Sequence, residues 1–215
     1  MQFQILNGLT AYDEASALQL DLVEKRARDE IPDTVLFLEH SPVITRGRGL
    51  QFTGVVRERH MPAPVGLPST IEFRESERGG DLTYHGPGQL VIYPILKLDG
   101  RGFGPSHDVA AFLRGFEQVA IDLLHDYGLT AERRESATGV WVGDRKVASL
   151  GVAVRKWVTY HGMAVNVTND LAPFRYISPC GYSSEVMTSL RELGVEVSVA
   201  DVIEKMKALF ARSLF

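Results

Sequence analysis

The 215 residues contain one cysteine, Cys180. No disulfide can form within the chain, which fits a reducing compartment, and a cytoplasmic protein is expected. Long apolar runs are also missing, so no membrane association is expected. The start, Met1-Gln2-Phe3-Gln4-Ile5-Leu6-Asn7, has no basic segment leading into an apolar run, so no signal peptide is read there. Positive charge is not in excess: 23 Lys and Arg face 27 Asp and Glu, for a net charge of −4. That argues against a general nucleic-acid binder and leaves only local basic patches. The sequence holds no Gly-x-x-x-x-Gly-Lys-Ser/Thr phosphate loop and no Cys/His spacing suited to a metal, so neither ATP nor metal is expected as cofactor. Repeats, low-complexity tracts and linkers are absent, and residues 1–215 read as one domain.

What is present centres on Arg78-Gly79-Gly80-Asp81-Leu82-Thr83-Tyr84-His85-Gly86-Pro87-Gly88-Gln89. Glycines let a backbone turn sharply and let another group approach its amides. A plain connecting loop has no use for so many polar side chains beside them. The strand-like run Leu90-Val91-Ile92-Tyr93-Pro94-Ile95-Leu96 follows at once. The pattern is a polar turn at the mouth of a buried strand, a common way to build a binding site.

Around this stretch the chain alternates strands and helices. Residues 2–6 read as a strand, and Thr10 with Asp13 as a capping box for a helix to about Asp29, with Tyr12, Ala15, Leu18 and Leu22 on its inner face. Strands are expected at 34–38, 43–45 and 71–74, with an irregular segment at 53–70. Ser106 is the expected cap of a second helix with a wide apolar stripe from Val109 to Leu124, stopped by Gly128. A short strand near 129–134 and a meander of strands at 139–142, 146–154 and 160–167 follow. A loop at 169–182, a short helix at 184–193 and a terminal helix opened by Ser198 and Asp201 complete the chain.

Cys180 lies between Pro179 and Gly181. A lone cysteine is commonly a small buried hydrophobe, but this turn offers little packing and presents the thiol at a bend. A thiol attacks as thiolate and needs a basic neighbour. Lys146, followed by Val147-Ala148-Ser149-Leu150-Gly151, is a candidate, because apolar surroundings favour the neutral amine; a surface lysine beside a turn is the plainer reading. His85 and His161 are alternative bases or structural histidines. Arg46-Gly47-Arg48-Gly49 is either an anion-binding strip or a solvated turn.

Taken together, Arg78 to Gln89, Lys146-x-x-Ser149-x-Gly151, His161-Gly162, Asn166, Asp170-Leu171-x-Pro173-Phe174 and Pro179-Cys180-Gly181 resemble the octanoyltransferases of lipoate biosynthesis. The resemblance runs from Glu39-His40-Ser41-Pro42 to about Tyr182. It implies an α/β (α+β) fold like the biotin/lipoate protein ligase catalytic domain, a mixed sheet flanked by helices. It implies octanoyl-acyl carrier protein as donor, and as acceptor a lysine on lipoyl domains of 2-oxoacid dehydrogenases or on the glycine cleavage H protein. Cys180 and Lys146 map onto the family's acyl-transfer dyad. Arg78, Gly79, Gly80, Asp81, Leu82, Thr83, Tyr84 and His85, then Ser149, Leu150 and Gly151, then Gly162, Met163 and Ala164, map onto its acyl-binding segments. Small residues at Gly79, Gly80, Gly151, Gly162 and Ala164 would leave a tunnel for an alkyl chain, and backbone amides of the glycine-rich segments are candidates for holding an oxyanion. Two other readings are an ATP-dependent lipoate or biotin ligase and a non-catalytic acyl-binding module. Arg46, Arg48, Arg57, Arg59, Arg155 and Lys156 are candidates for docking an acidic carrier protein.

Overall fold

The structure is a computed structural model that describes residues 1–49, 62–101, 103–134, 137–177 and 186–213. Strands β1 (Gln2–Thr10), β2 (Thr34–His40), β6 (Gln89–Ile95), β7 (Glu132–Arg134), β8 (Ala137–Val142), β9 (Arg145–Arg155) and β10 (Val158–Asn166) form a seven-stranded sheet in the order β1-β2-β6-β10-β9-β8-β7. β1 pairs parallel with β2 and the other neighbours pair antiparallel, so the sheet is mixed. A second sheet of β3 (Val43–Arg46), β4 (Glu72–Glu75) and β5 (Leu82–His85) has the order β4-β3-β5.

Alternation along the central strands sends opposite residues to opposite layers. Val35 and Phe37 of β2, Leu90 and Ile92 of β6, and Met163 and Val165 of β10 share one core with helices α2 (Val109–Asp126) and α3 (Val199–Ser213). The other face presents Leu36, Leu38, Val91, Tyr93 and Ala164 to helix α1 (Tyr12–Ala27). A separate small core of Ile44, Leu82, Tyr84, Phe174, Ile177 and Met187 joins the three-stranded sheet to the 310 turn Ala172–Tyr176.

Several local expectations change. Thr10 belongs to β1, which runs past a register shift between Ile5 and Leu9, so α1 starts from Ala11 without a side-chain cap. The buried line of α1 is Tyr12, Ala15, Gln19, Val23 and Arg26, leaving Leu18 and Leu22 half-buried. Asp108, not Ser106, caps α2: its carboxylate accepts the Ala111 amide at 2.8 Å. Gly128 does end that helix, with φ +75 and its amide on the His125 carbonyl. Ser198 and Asp201 do form a reciprocal capping box, the Asp201 amide on Ser198 Oγ at 3.2 Å and the Ser198 amide on Asp201 Oδ2 at 3.0 Å. Residues 187–194 form a bridge and turns, not a helix, and 184–185 lie outside the described residues.

Candidate functional site

A pocket of about 560 Å³, counting its open mouth, lies between the α1 face of the large sheet and the segment from Arg78 to His85. Its floor is made of small residues in register: Ala164 stands between Val91 and Ser149, and Gly162 opposite Gly151. Tyr93, Leu150 and Met163 extend the floor, and Tyr12 and His161 complete the wall. Arg78, Gly80, Leu82, Thr83 and His85 supply the facing side, and Lys146 also lines the pocket. Most of the expected site residues are thereby brought together.

Three of them are not. Gly79, Asp81 and Tyr84 do not line the pocket. Tyr84 points into the small core, edge-on to Phe174. The Asp81 carbonyl accepts the Gly47 amide at 3.1 Å and Arg78 Nη2 at 2.7 Å. The Gly79 amide donates to the Val152 carbonyl at 2.9 Å and the Gly88 amide to Glu39 at 2.6 Å. Those two amides are committed to the fold and do not face the pocket as oxyanion donors. Cys180, with Pro179 and Gly181, lies outside the described residues, as do Arg57 and Arg59.

Arg78 organises the loop. Its guanidinium donates to Thr45 Oγ1 and to the carbonyls of Thr45, Asp81 and Gly79, and the residue as a whole is 9% exposed. Arg46 to Gly49 runs alongside, its amides on the carbonyls of Asp81, Arg78 and Gly80. A Cβ on Gly47 would sit 2.3 Å from the Gly80 carbonyl, so glycine is needed for that approach. Arg46 pairs with Glu75, Arg48 with Glu77 at 2.6 Å, and Lys156 with Glu24 at 2.5 Å, which offsets the charge expected for docking; Arg155 is exposed. Gly151 and Gly162 line the pocket and likewise serve close backbone approach, to the carbonyls of Gly79 and Ile92.

Lys146 is 3% exposed. The pairs Val140–Ala148 and Trp141–Lys146 leave Val147 as one extra residue in β9. Without that bulge Lys146 would share the face of Ala148, Leu150 and Val152 beneath the helices; with it, Val147 enters the core and Lys146 the pocket. Lys146 Nζ donates to the Thr138 carbonyl at 2.7 Å and lies 5.7 Å from the Trp141 ring centroid. The N–H of the same Thr138–Gly139 peptide donates to Glu117 Oε1 at 3.2 Å. Glu117, 1% exposed on α2, is itself held by Arg114 at 3.0 Å and Arg133 at 3.4 Å. One peptide plane is thus fixed between a buried carboxylate and the lysine.

Three buried histidines gather at the pocket side. His40 and His161 are pushed down to about 4 and about 3, chiefly by burial, with Arg78 adding to the effect on His161. His85 is held well below its usual range by burial, then by His40 and Arg78. His161 has φ +55, uncommon for a non-glycine residue, which turns its amide out of the sheet onto Gln19 Oε1 at 2.7 Å. Tyr12, Tyr93 and Glu117 escaped the sequence reading because Tyr12 and Tyr93 sit in apolar patterns that look like plain core, and Glu117 looks like an exposed helix charge. The only signal was a polar atom in an otherwise apolar stripe. Among the described residues no group of three or more His, Cys, Asp or Glu is placed to hold a metal ion, and no helix is long and apolar enough to cross a membrane.

Residues 11–211 match the lipoyl protein ligase A/B catalytic domain. An octanoyltransferase of Solibacter usitatus is 45% identical over 209 residues, covering 96% of this chain and 91% of its own. One of Bdellovibrio bacteriovorus is 44% identical over 214 residues, covering 93% of each. In fold, the chain is similar to the crystal structure of a lipoate-protein ligase A bound with ATP, at TM-score 0.71 and 18% identity over 100% of this chain and 86% of that one. With a mixed sheet, a pocket gathered from the quoted motifs and relatives at this identity over nearly its whole length, the chain belongs to the octanoyltransferases of the lipoyl protein ligase A/B catalytic domain family.

Proposed function

We propose that the chain moves an octanoyl group from octanoyl-acyl carrier protein to a lysine of a lipoyl domain, on a 2-oxoacid dehydrogenase or the glycine cleavage H protein, through a thioester on Cys180. Octanoyl transfer for lipoylation is the family's reaction. The observation that carries the finer reading is a buried lysine, Lys146, turned by a bulge into a pocket floored by small residues. In the first half-reaction Cys180 Sγ attacks the thioester carbonyl and Lys146 Nζ takes the thiol proton. The carbon–sulfur bond to the carrier breaks, and Lys146 returns the proton to the leaving pantetheine sulfur. In the second, the acceptor amine attacks the new thioester, the amide bond forms, and the Cys180 carbon–sulfur bond breaks, with the amine's proton passing to the released thiolate. Exchange of one thioester for another is nearly balanced, and amide formation is downhill. No ATP is therefore needed.

The Thr138 carbonyl and the Trp141 face hold the buried lysine in place beside the pocket. The floor of Val91, Gly162, Ala164 and Gly151 suits an unbranched alkyl chain. The test is to incubate the chain with octanoyl-acyl carrier protein and a lipoyl domain after enzymatic removal of ATP. The lipoyl domain should gain one octanoyl mass with no pyrophosphate released. Transfer that requires ATP and releases pyrophosphate would move the chain to ligase chemistry.

A further inference from the structure

The hydrogen bonds around His85 determine which of its nitrogens carries the proton. Gln89 Nε2 lies 3.1 Å from the Tyr84 main-chain carbonyl, which can only accept, so that end of the amide is the donor. The same nitrogen donates to Asn166 Oδ1 at 2.9 Å. Gln89 Oε1 therefore faces His85 Nδ1, at 2.8 Å, and an amide oxygen there requires Nδ1 to donate. Burial keeps the ring neutral. Nε2 consequently holds a lone pair, and His85 lines the pocket.

A second chain of bonds gives the neighbouring group the same polarity. His40 Nδ1 is 2.9 Å from the Thr10 carbonyl and must donate to it. The neutral ring then leaves Nε2 to accept, and the Tyr93 hydroxyl donates to it at 2.8 Å. With its hydrogen spent on His40, Tyr93 Oη has only lone pairs to offer the pocket it lines. The rings of His40 and His85 are 5.6 Å apart, so both acceptors belong to one cluster. The cluster is also tied to the lysine. Asn166 Nδ2 donates to the Thr188 carbonyl at 2.9 Å, and the Thr188 amide donates to the Lys146 carbonyl at 3.0 Å. His85, Gln89, Asn166, Thr188 and Lys146 are thus joined in one buried line.

We propose that His85 Nε2, assisted by Tyr93 Oη, receives N–H hydrogen bonds from the acceptor lysine's amine and aims its lone pair at the acyl thioester. This deepens the thioester route and rests on it. A neutral primary amine has two N–H bonds and one lone pair. Two acceptors in one cluster take up both hydrogens and leave the lone pair for attack. The octanoyl chain and the thioester have no N–H to offer. The carrier's pantetheine arm has amide N–H groups that offer one hydrogen each, so the donor arm is the rival occupant.

Two substitutions separate a structural from a functional role. His85→Asn keeps a donor where Nδ1 stood, and so keeps the bond to Gln89, but removes Nε2. His85→Gln places an amide oxygen within reach of the Nε2 position. Each variant is acylated with octanoyl-acyl carrier protein, freed of donor, and mixed with a lipoyl domain, and both half-reactions are timed by intact-protein mass spectrometry. The expected result is transfer slowed about tenfold more than acylation in His85→Asn, with most of that difference recovered in His85→Gln. Acylation slowed as much as transfer in His85→Asn assigns the wall to the donor arm or to structure and overturns the inference. Transfer at the wild-type rate in His85→Asn overturns it too. A wild-type protein that never forms the adduct instead overturns the thioester route itself, which keeps the two failures apart.

Discussion

In the proposed route Lys146 is the residue on which the chemistry turns, and its surroundings decide whether it acts as a base or as a fixed charge. A cysteine of ordinary pKa is only a few per cent thiolate near neutrality. A permanent cation would hold a standing thiolate; a desolvated amine would take the proton as attack begins. Arginine can supply the first and not the second. Lys146→Arg should therefore slow single-turnover acylation almost as much as Lys146→Ala, by about 10²-fold. An arginine variant acylating near the wild-type rate would leave the lysine as a charge. At this scale the sequence was informative where side chains are the signal, since most of the described motif residues line one pocket with Lys146. It was uninformative where direction matters. Thr83 and His85 look into the pocket whereas Tyr84, between them, looks into the small core, and only strand register decides which.

At the scale of elements, the site depends on a bulge and a glycine that no periodicity reveals. Gly139 has φ +135, and a Cβ there would sit 2.3 Å from Lys146 Cε and 2.6 Å from the Ala148 carbonyl. Gly139→Ala should displace the lysine and slow acylation at least about tenfold, with a stability loss of about 1–3 kcal/mol. Gly128→Ala is the comparison, because its φ is +75 with open space around it. It should cost about 1 kcal/mol and leave acylation unchanged. Single-turnover rates and urea midpoints for both variants check this, and a Gly139→Ala protein acylating at the wild-type rate would refute the positioning role. Most strands and the amphipathic helices α2 and α3 were legible because apolar spacing marks them directly. Helix α1 was harder to read. Its buried line contains Gln19 and Arg26, which hold His161 and the carboxylates of Asp29 and Asp33, so polar residues occupy positions that hydrophobicity assigns elsewhere.

Across the whole molecule, the buried histidines link stability to pH. The unfolded imidazoles titrate near 6.5, whereas His40 and His161 in the folded chain are held at about 4 and about 3 and His85 is also depressed. As pH falls below 6.5 the unfolded chain binds protons that the folded chain refuses. Stability is therefore full above that value and is lost on the way down to the folded values, by up to about 1.4 kcal/mol per pH unit for each histidine. Carboxylates join only below about pH 4.5, so the interval from 6.5 to about 5 isolates the histidines. Urea midpoints should fall steadily across it, and a flat profile would mean that these rings are protonated in the fold.

Whether the acyl group rests on Cys180 between donor and acceptor is decided by a pulse and chase followed by intact mass. The chain is mixed with octanoyl-acyl carrier protein without ATP, separated from the donor, and then given a lipoyl domain. One octanoyl mass is expected on wild type, none on Cys180→Ala, and movement of that mass to the lipoyl domain in the chase. An unmodified wild-type chain that nevertheless transfers octanoyl from carrier to lipoyl domain would contradict it.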